Sequence, residues 1–401
     1  MRSRAHGAFL CIALSLPAPC LADGDAEEEP LYQLGALYIG DALANVHGGL
    51  REGSAWVDYL ELAAAFDAGR VLGVDDLTLF ASVIRTNPPT FSERYVGDAM
   101  LVSNIDSEYA LRVFEAWFDW GFVARGAGSV RVGLYDLNSE FDTTESRGLF
   151  INSAYGIGQE LAQTGRNGPS IFPVSALAAR LAWAPAEPWL IEFAVVDGVP
   201  GDPGGTHRSR WHLSRSEGAL LIGEITAAAG PVAQLSLGHW RYTEEFAGVG
   251  PVVPDRTVEF EHDNHGTYVT AEFKPRTEPG PGLPRWSAFA RAGEASARVN
   301  MFDRHLAAGA VVGWPWPGAG GSTLGLAVSE ARVGADYRSL QRRTGRDPAR
   351  YERNVELTWR VPIGNHVVLQ PDVQYIVNPS AERRIPNAWV VGLRVELAVS
   401  R

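Results

Sequence analysis

Cysteine is almost missing: the 401 residues hold two, Cys11 and Cys20, and both fall at the very start. Disulfides and thiol chemistry are therefore excluded for everything after residue 20. Lysine is rarer still, with Lys274 alone; arginine carries nearly all the positive charge. Acidic residues outnumber basic ones, the formal net charge is −12, and nucleic acid is a poor partner for such a chain. Long apolar runs are absent beyond the N-terminus, so the chain does not cross a membrane as helices. There is no G-x-S-x-G elbow, no Walker loop and no cofactor motif, so nothing in the spacing points to catalysis or a bound metal. His262-Asp-Asn-His265 lies in an expected loop, with no helix to align its imidazoles.

The first 22 residues read as a secretory leader. Arg2 and Arg4 precede the apolar Ala8–Leu16, and Cys20-Leu-Ala22 supplies a small-residue cleavage site. Pro17-Ala-Pro19 before Cys20 makes a poor lipobox. Residues 23–401 are then expected to form one domain, beginning with an acidic tail from Asp23 to Glu29.

What is abundant is period-two alternation. In Val355–Val361 the apolar Val355, Leu357, Trp359 and Val361 alternate with Glu356, Thr358 and Arg360. In Trp389–Val399 every second residue is apolar, with Arg394 and Glu396 opposite. Such alternation means strands. The earlier segments are Leu34–Val46, Ala55–Phe66, Leu77–Ile84, Ala110–Trp120, Val130–Asp136, Leu177–Trp183, Trp189–Val195 and Leu220–Ala228. The later ones are Val232–Tyr242, Thr267–Phe273, Trp286–Ala292, Leu306–Trp314, Leu324–Val328 and Val367–Tyr375. With the two above, that makes about sixteen. Gly318-Ala-Gly-Gly-Ser322 reads as a turn between two of them.

Connections after even-numbered strands are mostly short, and those after odd-numbered ones mostly long; Pro275–Pro284 breaks the rule. That asymmetry, an alternation whose mean hydropathy cancels, and tryptophans such as Trp56, Trp117, Trp120, Trp189 and Trp389 in or at the ends of strands predict an all-β fold. The expected architecture is a transmembrane antiparallel β-barrel of about sixteen strands. Its longest connection, within Gly133–Pro173, carries Phe141, Leu149, Phe150, Ile151, Tyr155, Ile157, Ile171 and Phe172. Those groups need burial, so this third outer loop is expected to fold into the lumen.

The chain resembles the carbohydrate-selective porins of the OprB type. The resemblance is carried by Glu93-Arg-Tyr-Val-Gly-Asp98 with Ser103-Asn-Ile105, then by Phe114-Glu-Ala-Trp-Phe-Asp119. The most specific stretch is Val132-Gly-Leu-Tyr-Asp-Leu-Asn-Ser-Glu-Phe-Asp142, followed by Asn167-Gly-Pro-Ser-Ile-Phe-Pro173. Asp197–Pro203, Leu369–Ile376 and Gly392–Leu397 complete it in family order. The resemblance implies passive passage of sugars across the outer membrane of a Gram-negative bacterium. One departure is the end, Leu397-Ala-Val-Ser-Arg401, where the family usually has an aromatic residue.

A sugar pore needs polar side chains facing the lumen at its narrow part. Phasing Ala110–Trp120 with Phe114, Phe118 and Trp120 toward lipid turns Glu115 and Asp119 inward. The same rule turns in Arg131, Tyr135, Arg180, Glu192, Glu272, Arg360, Asp372, Arg394 and Glu396. Arg85, Glu115, Arg131 and the Asp136/Asn138/Glu140 cluster bracket the long loop and are the expected constriction. The remaining candidate pore-lining residues are Asp119, Tyr135, Arg180 and Arg360. Expected partners are sugars, outer-membrane lipid and further copies of the chain as a homo-oligomer such as a trimer. The alternatives left open are a barrel with a hydrolytic role, which lacks a recognisable Ser/His/acid set, and a plugged structural or adhesive barrel.

Overall fold

The computed structural model describes residues 30–87, 90–123, 126–201, 214, 216–229, 233–244, 246–249, 260–261, 263–275, 283–316 and 319–401. The expected leader and acidic tail lie outside the described residues, as do Val232, His262 and most of Pro275–Pro284. The chain forms strands β1 (Tyr32–His47), β2 (Gly53–Asp67), β3 (Leu77–Thr86), β4 (Ala110–Val123), β5 (Ala127–Tyr135), β6 (Ala176–Ala184), β7 (Trp189–Asp197) and β8 (Ala219–Ala229). It continues with β9 (Ala233–Tyr242), β10 (His265–Phe273), β11 (Arg285–Ala295), β12 (Phe302–Trp316), β13 (Ala319–Val333), β14 (Tyr351–Ile363), β15 (Val367–Val377) and β16 (Ala388–Ser400). Each strand pairs antiparallel with the next, and β16 returns to β1, from Gly35 opposite Ser400 to His47 opposite Trp389. The result is a closed sixteen-stranded barrel, which leaves no sheet edge unpaired.

The barrel is polar inside and apolar outside. On β14, Leu357 is 46% exposed, while Glu352, Asn354 and Glu356 are fully buried. On β16, Trp389, Val391, Leu393, Leu397 and Val399 are exposed, whereas Arg394 is buried. A water-soluble barrel would reverse this, because exposed apolar and buried charged surface both cost free energy in water. In a bilayer the exposed face meets lipid, and the closed ladder satisfies every strand's backbone within the sheet.

All sixteen expected segments are strands, most with ends that run further than the alternation alone indicated, while β5 stops one residue short, at Tyr135. Three local readings change. Ala319–Ser322 belongs to β13 rather than to a turn, because Trp316 of β12 pairs with Ala319. In β4, Ser82 pairs with Glu115 while Val83 pairs with Val113, so Phe114 is the extra residue of a β-bulge. The bulge brings Phe114 inward beside Glu115, and both are buried. Phe114 therefore does not face lipid. Trp117 is also inside, stacked on Phe80 at 4.8 Å, while Trp56, Trp120, Trp189 and Trp389 are exposed as a membrane-interface girdle requires.

The long connections follow the odd strands. Between β13 and β14 lies a nine-residue helix, Ala335–Arg343. The connection from β3 to β4 contains one turn of π-helix, Ser92–Val96, closed by Gly97 at φ 78. Apolar residues of the connections pack on inward-facing strand residues. Leu137, Phe141, Ile157 and Leu161 join Ala194, Ile222, Trp240 and Tyr268 in one cluster, and Phe150 and Tyr155 join Phe289, Ala307 and Ala327 in another. Each buried Leu, Ile or Phe side chain among them contributes about 1.5–3 kcal/mol.

Candidate pore site

The β5–β6 connection has no strand and only single helical turns, at Leu137–Ser139, Arg147–Leu149, Ser153–Tyr155 and Gln159–Ala162, so most of its backbone N–H groups need partners other than a ladder. Its ends tie to each other: Leu137 N donates to Ser170 O at 2.7 Å, and Ser170 Oγ donates to Tyr135 O at 2.6 Å. Its middle is held by inward carboxylates on distant strands. Glu224 of β8 accepts from Asp142 N at 2.9 Å, and Glu272 of β10 from Ser146 N at 2.6 Å. Glu356 of β14 accepts from Ile151 N at 2.6 Å and Asn152 N at 3.0 Å. From β15, Gln370 Nε2 donates to Leu149 O at 2.7 Å.

At the centre of this segment Arg291 of β11 lies 2.8 Å from Asp142 and 2.5 Å from Glu160, and Arg147 lies 2.9 Å from Asp142. Every member is essentially out of solvent. Burial alone would raise the Asp142 carboxyl, but Arg291 and Arg147 outweigh it and hold Asp142 down at about 2. Glu160 goes the other way, because burial outweighs its contact with Arg291.

Of the expected site residues, five form one ion cluster on the wall. Arg131 Nε is 2.9 Å from Asp119 and its Nη1 3.4 Å from Glu140. Arg180 is 2.8 Å from each of the same carboxylates. Tyr135 donates its hydroxyl to Glu140, and the Arg131 guanidinium sits 3.9 Å over the Trp117 ring. Glu115, Asp136 and Asn138 lie next to this cluster and face a cavity of about 370 Å³. Glu115 accepts from Asp136 N at 3.2 Å, and Asp136 caps Asn138 N at 3.0 Å. Burial, and then the neighbouring Glu115 charge, raises the Asp136 carboxyl well above its ordinary value.

Arg85 does not join them. It falls on the exposed side of β3 with Val83, its side chain 44% exposed, and pairs with Asp58 at 3.3 Å. Its place at the outer end of the strand is as expected, but its side chain leaves the lumen group. Arg360 faces inward on a different wall, where it pairs with Glu396 at 2.9 Å; Glu396 lines the cavity and Arg360 does not.

The cavity has a second wall, of which phasing included Arg394 and Glu396 but not the loop residues. Leu101, Asn104, Ile105 and Asp106 of the β3–β4 connection line it, together with Arg394 and Glu396 of β16. The signal was present in Ser103-Asn-Ile105, but loop residues have no phase to read. This wall is fastened by Arg394, whose Nε and Nη2 each lie 2.8 Å from Asp41 and whose Nη2 donates to Asn104 Oδ1 at 2.7 Å. Ser103 Oγ donates to Asp41 at 2.6 Å, and Glu352 accepts from Met100 N at 2.8 Å. Burial raises Asp98 to about 7 and Asp106 to about 6.

Residues 51–398 match the family model described as carbohydrate-selective porin, OprB family. The chain belongs to this porin family. Porin B of Pseudomonas aeruginosa is 21% identical over 392 residues, covering 90% of this chain and 86% of that one. The high-pH structure of Pseudomonas putida OprB superposes with a TM-score of 0.79 at 20% identity, over 92% of this chain and 94% of the other. The outer-membrane channel DcaP of Acinetobacter baumannii shares the fold with a TM-score of 0.51 at 12% identity, covering 92% and 97%. Family and barrel together make this an outer-membrane carbohydrate porin of the Gram-negative type, and both are those of channel proteins. The family's most specific stretch, Val132–Asp142, falls where β5 turns into the ion cluster and the cavity wall.

Proposed function

We propose that this porin passes mono- and oligosaccharides by passive diffusion through the 370 Å³ cavity, with no chemistry on the solute, and that the Gly133–Pro173 segment folds into the lumen to set its width. The observation that carries the reading is the amphipathic lining. Phe172 packs edge-on against Tyr59 at 5.6 Å and against Phe114 at 6.1 Å, and all three rings line the same cavity as Glu61, Glu115, Asp136 and Asn138. A pyranose has apolar C–H faces and a rim of hydroxyls, so rings on one side and hydrogen-bond acceptors on the other suit it.

In this reading Glu115, Asp136 and Asn138 meet the solute. Asp119, Arg131, Tyr135, Glu140 and Arg180 hold that wall rigid, and Arg360 acts through Glu396. Swelling of reconstituted liposomes in sugars tests it: Glu115→Ala and Arg131→Ala should each change sugar permeability, and unchanged permeability in both overturns the assignment. A homotrimer is the assembly we propose, tested by the detergent-corrected mass, where a single-barrel mass overturns it. Export through a leader of residues 1–22 is tested by the N-terminus of the mature protein.

A further inference from the structure

Seven arginines stand between Glu330 and Arg353, in a chain whose acidic residues outnumber its basic ones by 47 to 35. They lie at the end of the barrel that carries the long connections, where β13 leaves the sheet and β14 enters it. The lipid-facing side of this wall can be followed outward. Leu306, Leu326, Val328 and Leu357 are 40 to 55% exposed and belong to the apolar belt. Side chains two residues apart share a face, so the same side continues into Arg304 on β12, Glu330 and Arg332 on β13 and Arg353 on β14. Arg332 is about 13 Å along the strand beyond Val328, at the depth of lipid head groups.

Like charges are set against each other here. Arg304 stands in register directly opposite Arg332, an unfavourable cross-strand pair. Glu330 serves both Arg332 at 2.8 Å and Arg353 at 2.5 Å. Arg304 has no carboxylate within 4.0 Å among the described residues, although Glu294 is opposite it in register and Asp303 precedes it. The Ala335–Arg343 helix follows β13 at once, and Arg338 donates to Val333 O at its base. Arg342 is four residues on from Arg338 and shares its face, a second like-charge spacing. Arg342, Arg343, Arg346 and Arg350 are exposed, and none has a carboxylate within 4.0 Å among the described residues. The acidic residues of the connection are Asp336 and Asp347, and Asp347 is taken by Arg383 at 2.9 Å.

We propose that the outer wall of β12–β14 docks a phosphorylated glycolipid of the outer leaflet, of the lipid A class. Its phosphates are held by Arg304 and Arg332 on the wall and by Arg342 and Arg343 on the helix beyond, and its acyl chains lie on Leu306, Leu326 and Val328. An anion between the guanidinium groups turns each like-charge contact into an attraction. Guanidinium forks match phosphate oxygens two at a time. The wall faces lipid, and none of these arginines lines the cavity, so the anion at that depth is a head group and not a passing solute. The inference depends on the outer-membrane barrel and not on which solute passes through it.

Native mass spectrometry of the whole barrel in detergent, titrated with bisphosphorylated lipid A, tests this. Wild type should retain lipid A, more weakly as salt rises. One basic residue at a membrane surface changes binding by about fivefold, so Arg304→Gln with Arg332→Gln should weaken retention by about thirtyfold. Arg342→Gln should weaken it by about fivefold; this exposed helix position lies outside the sheet and keeps the test open if the wall variant does not fold. Arg241→Gln removes an exposed arginine of β9, three strands round the barrel and paired with Asp263, and should bind as wild type. Equal retention of dephosphorylated lipid A or of phosphatidylglycerol overturns the proposal. Displacement of lipid A by an equal concentration of inorganic phosphate makes the wall a free-anion site and overturns the lipid assignment. Wild-type retention in both the wall and the helix variants overturns the assignment to these arginines, as does an equal loss in Arg241→Gln.

Discussion

Replacing Arg291 by Met tests how the β5–β6 segment is held. Arg291 is the hub of a buried cluster: it faces Asp142 at 2.8 Å and Glu160 at 2.5 Å, with all three side chains fully out of solvent. Methionine fills much of the same volume but leaves two carboxylates with only Arg147 to offset them. Breaking a buried pair from one side costs about 3–5 kcal/mol. The sixteen-stranded ladder does not depend on this contact, so the cost should appear as local opening of the segment rather than as loss of the barrel. The amides that report it are Asp142 N, donated to Glu224, and Gly158 N, donated to Asp142 Oδ2, both at 2.9 Å. At 1.4 kcal/mol per factor of ten, their hydrogen exchange should speed up by about a hundred- to several-thousand-fold. Ladder amides of β11 should hold their wild-type rates. Equal exchange at Asp142 and Gly158 in wild type and variant would refute the latch.

Acid should weaken the same latch, and the sign can be worked through each carboxyl. Asp142 is depressed to about 2 from an ordinary 3.8, so its contribution is complete above 3.8 and disappears as pH falls through 2. That difference corresponds to about 2 kcal/mol. Glu160 is raised, so its contribution is complete below its ordinary value and is lost as pH rises through the folded value. The two act in opposite directions, and a net loss of protection below about pH 3 identifies Asp142 as the dominant member. Asp142→Asn separates the charge from the backbone, since Asp142 sits at φ 57, a conformation asparagine tolerates. That variant should show no further loss over this acid range.

Two further outcomes follow from the packing and from the β3–β4 connection. Phe150→Ala removes a ring 4.8 Å from Tyr155 and 5.7 Å from Phe289; it should cost the segment about 3–5 kcal/mol and shorten protease protection at 147–155, while an unchanged cleavage rate shows that the ring anchors nothing. Asp98 at about 7 and Asp106 at about 6 are both raised by burial, so their contribution is complete below an ordinary carboxylate value and lost as pH rises through 6 to 7. Exchange at Val102 and Asn104 amides should therefore quicken between about pH 5 and 8 beyond the intrinsic chemical rate. Asp98→Asn should flatten that extra dependence; a profile identical to wild type assigns it elsewhere.

The barrel was legible because one physical rule governs it: lipid outside and polar groups inside force period two along every strand, and Val355–Val361 and Trp389–Val399 state that rule almost without exception. Where the rule is interrupted, the reading failed locally. One extra residue at Phe114 turned a ring from lipid to lumen, and nothing in Phe114-Glu-Ala-Trp announces a bulge. Arg85 was misjudged for a related reason: at a strand's outer end both faces are wet, so polarity stops reporting which side is the lumen. The β3–β4 wall was invisible to phasing because loop residues have no alternation to count.

The deeper reason the site was only half legible is that inward carboxylates do three different jobs with one sequence signature. Glu224, Glu272, Glu352 and Glu356 receive backbone N–H groups of the two long connections and so act as their missing ladder. Asp119 and Glu140 are neutralised by Arg131 and Arg180. Glu61, Glu115 and Asp136 face the cavity without a cation of their own. Period two turns the strand members of each set inward and cannot rank them, because the difference lies in what comes to meet each one. Irregular segments can sit against a barrel wall only where such acceptors are available, since a buried N–H without a partner costs about 1–3 kcal/mol. The more carboxylates the strands commit to holding the connections, the fewer remain free to act on a solute. In the proposed sugar passage, the carboxylates left to meet a solute are therefore the small remainder around Glu61, Glu115 and Asp136, not the acidity of the lumen as a whole.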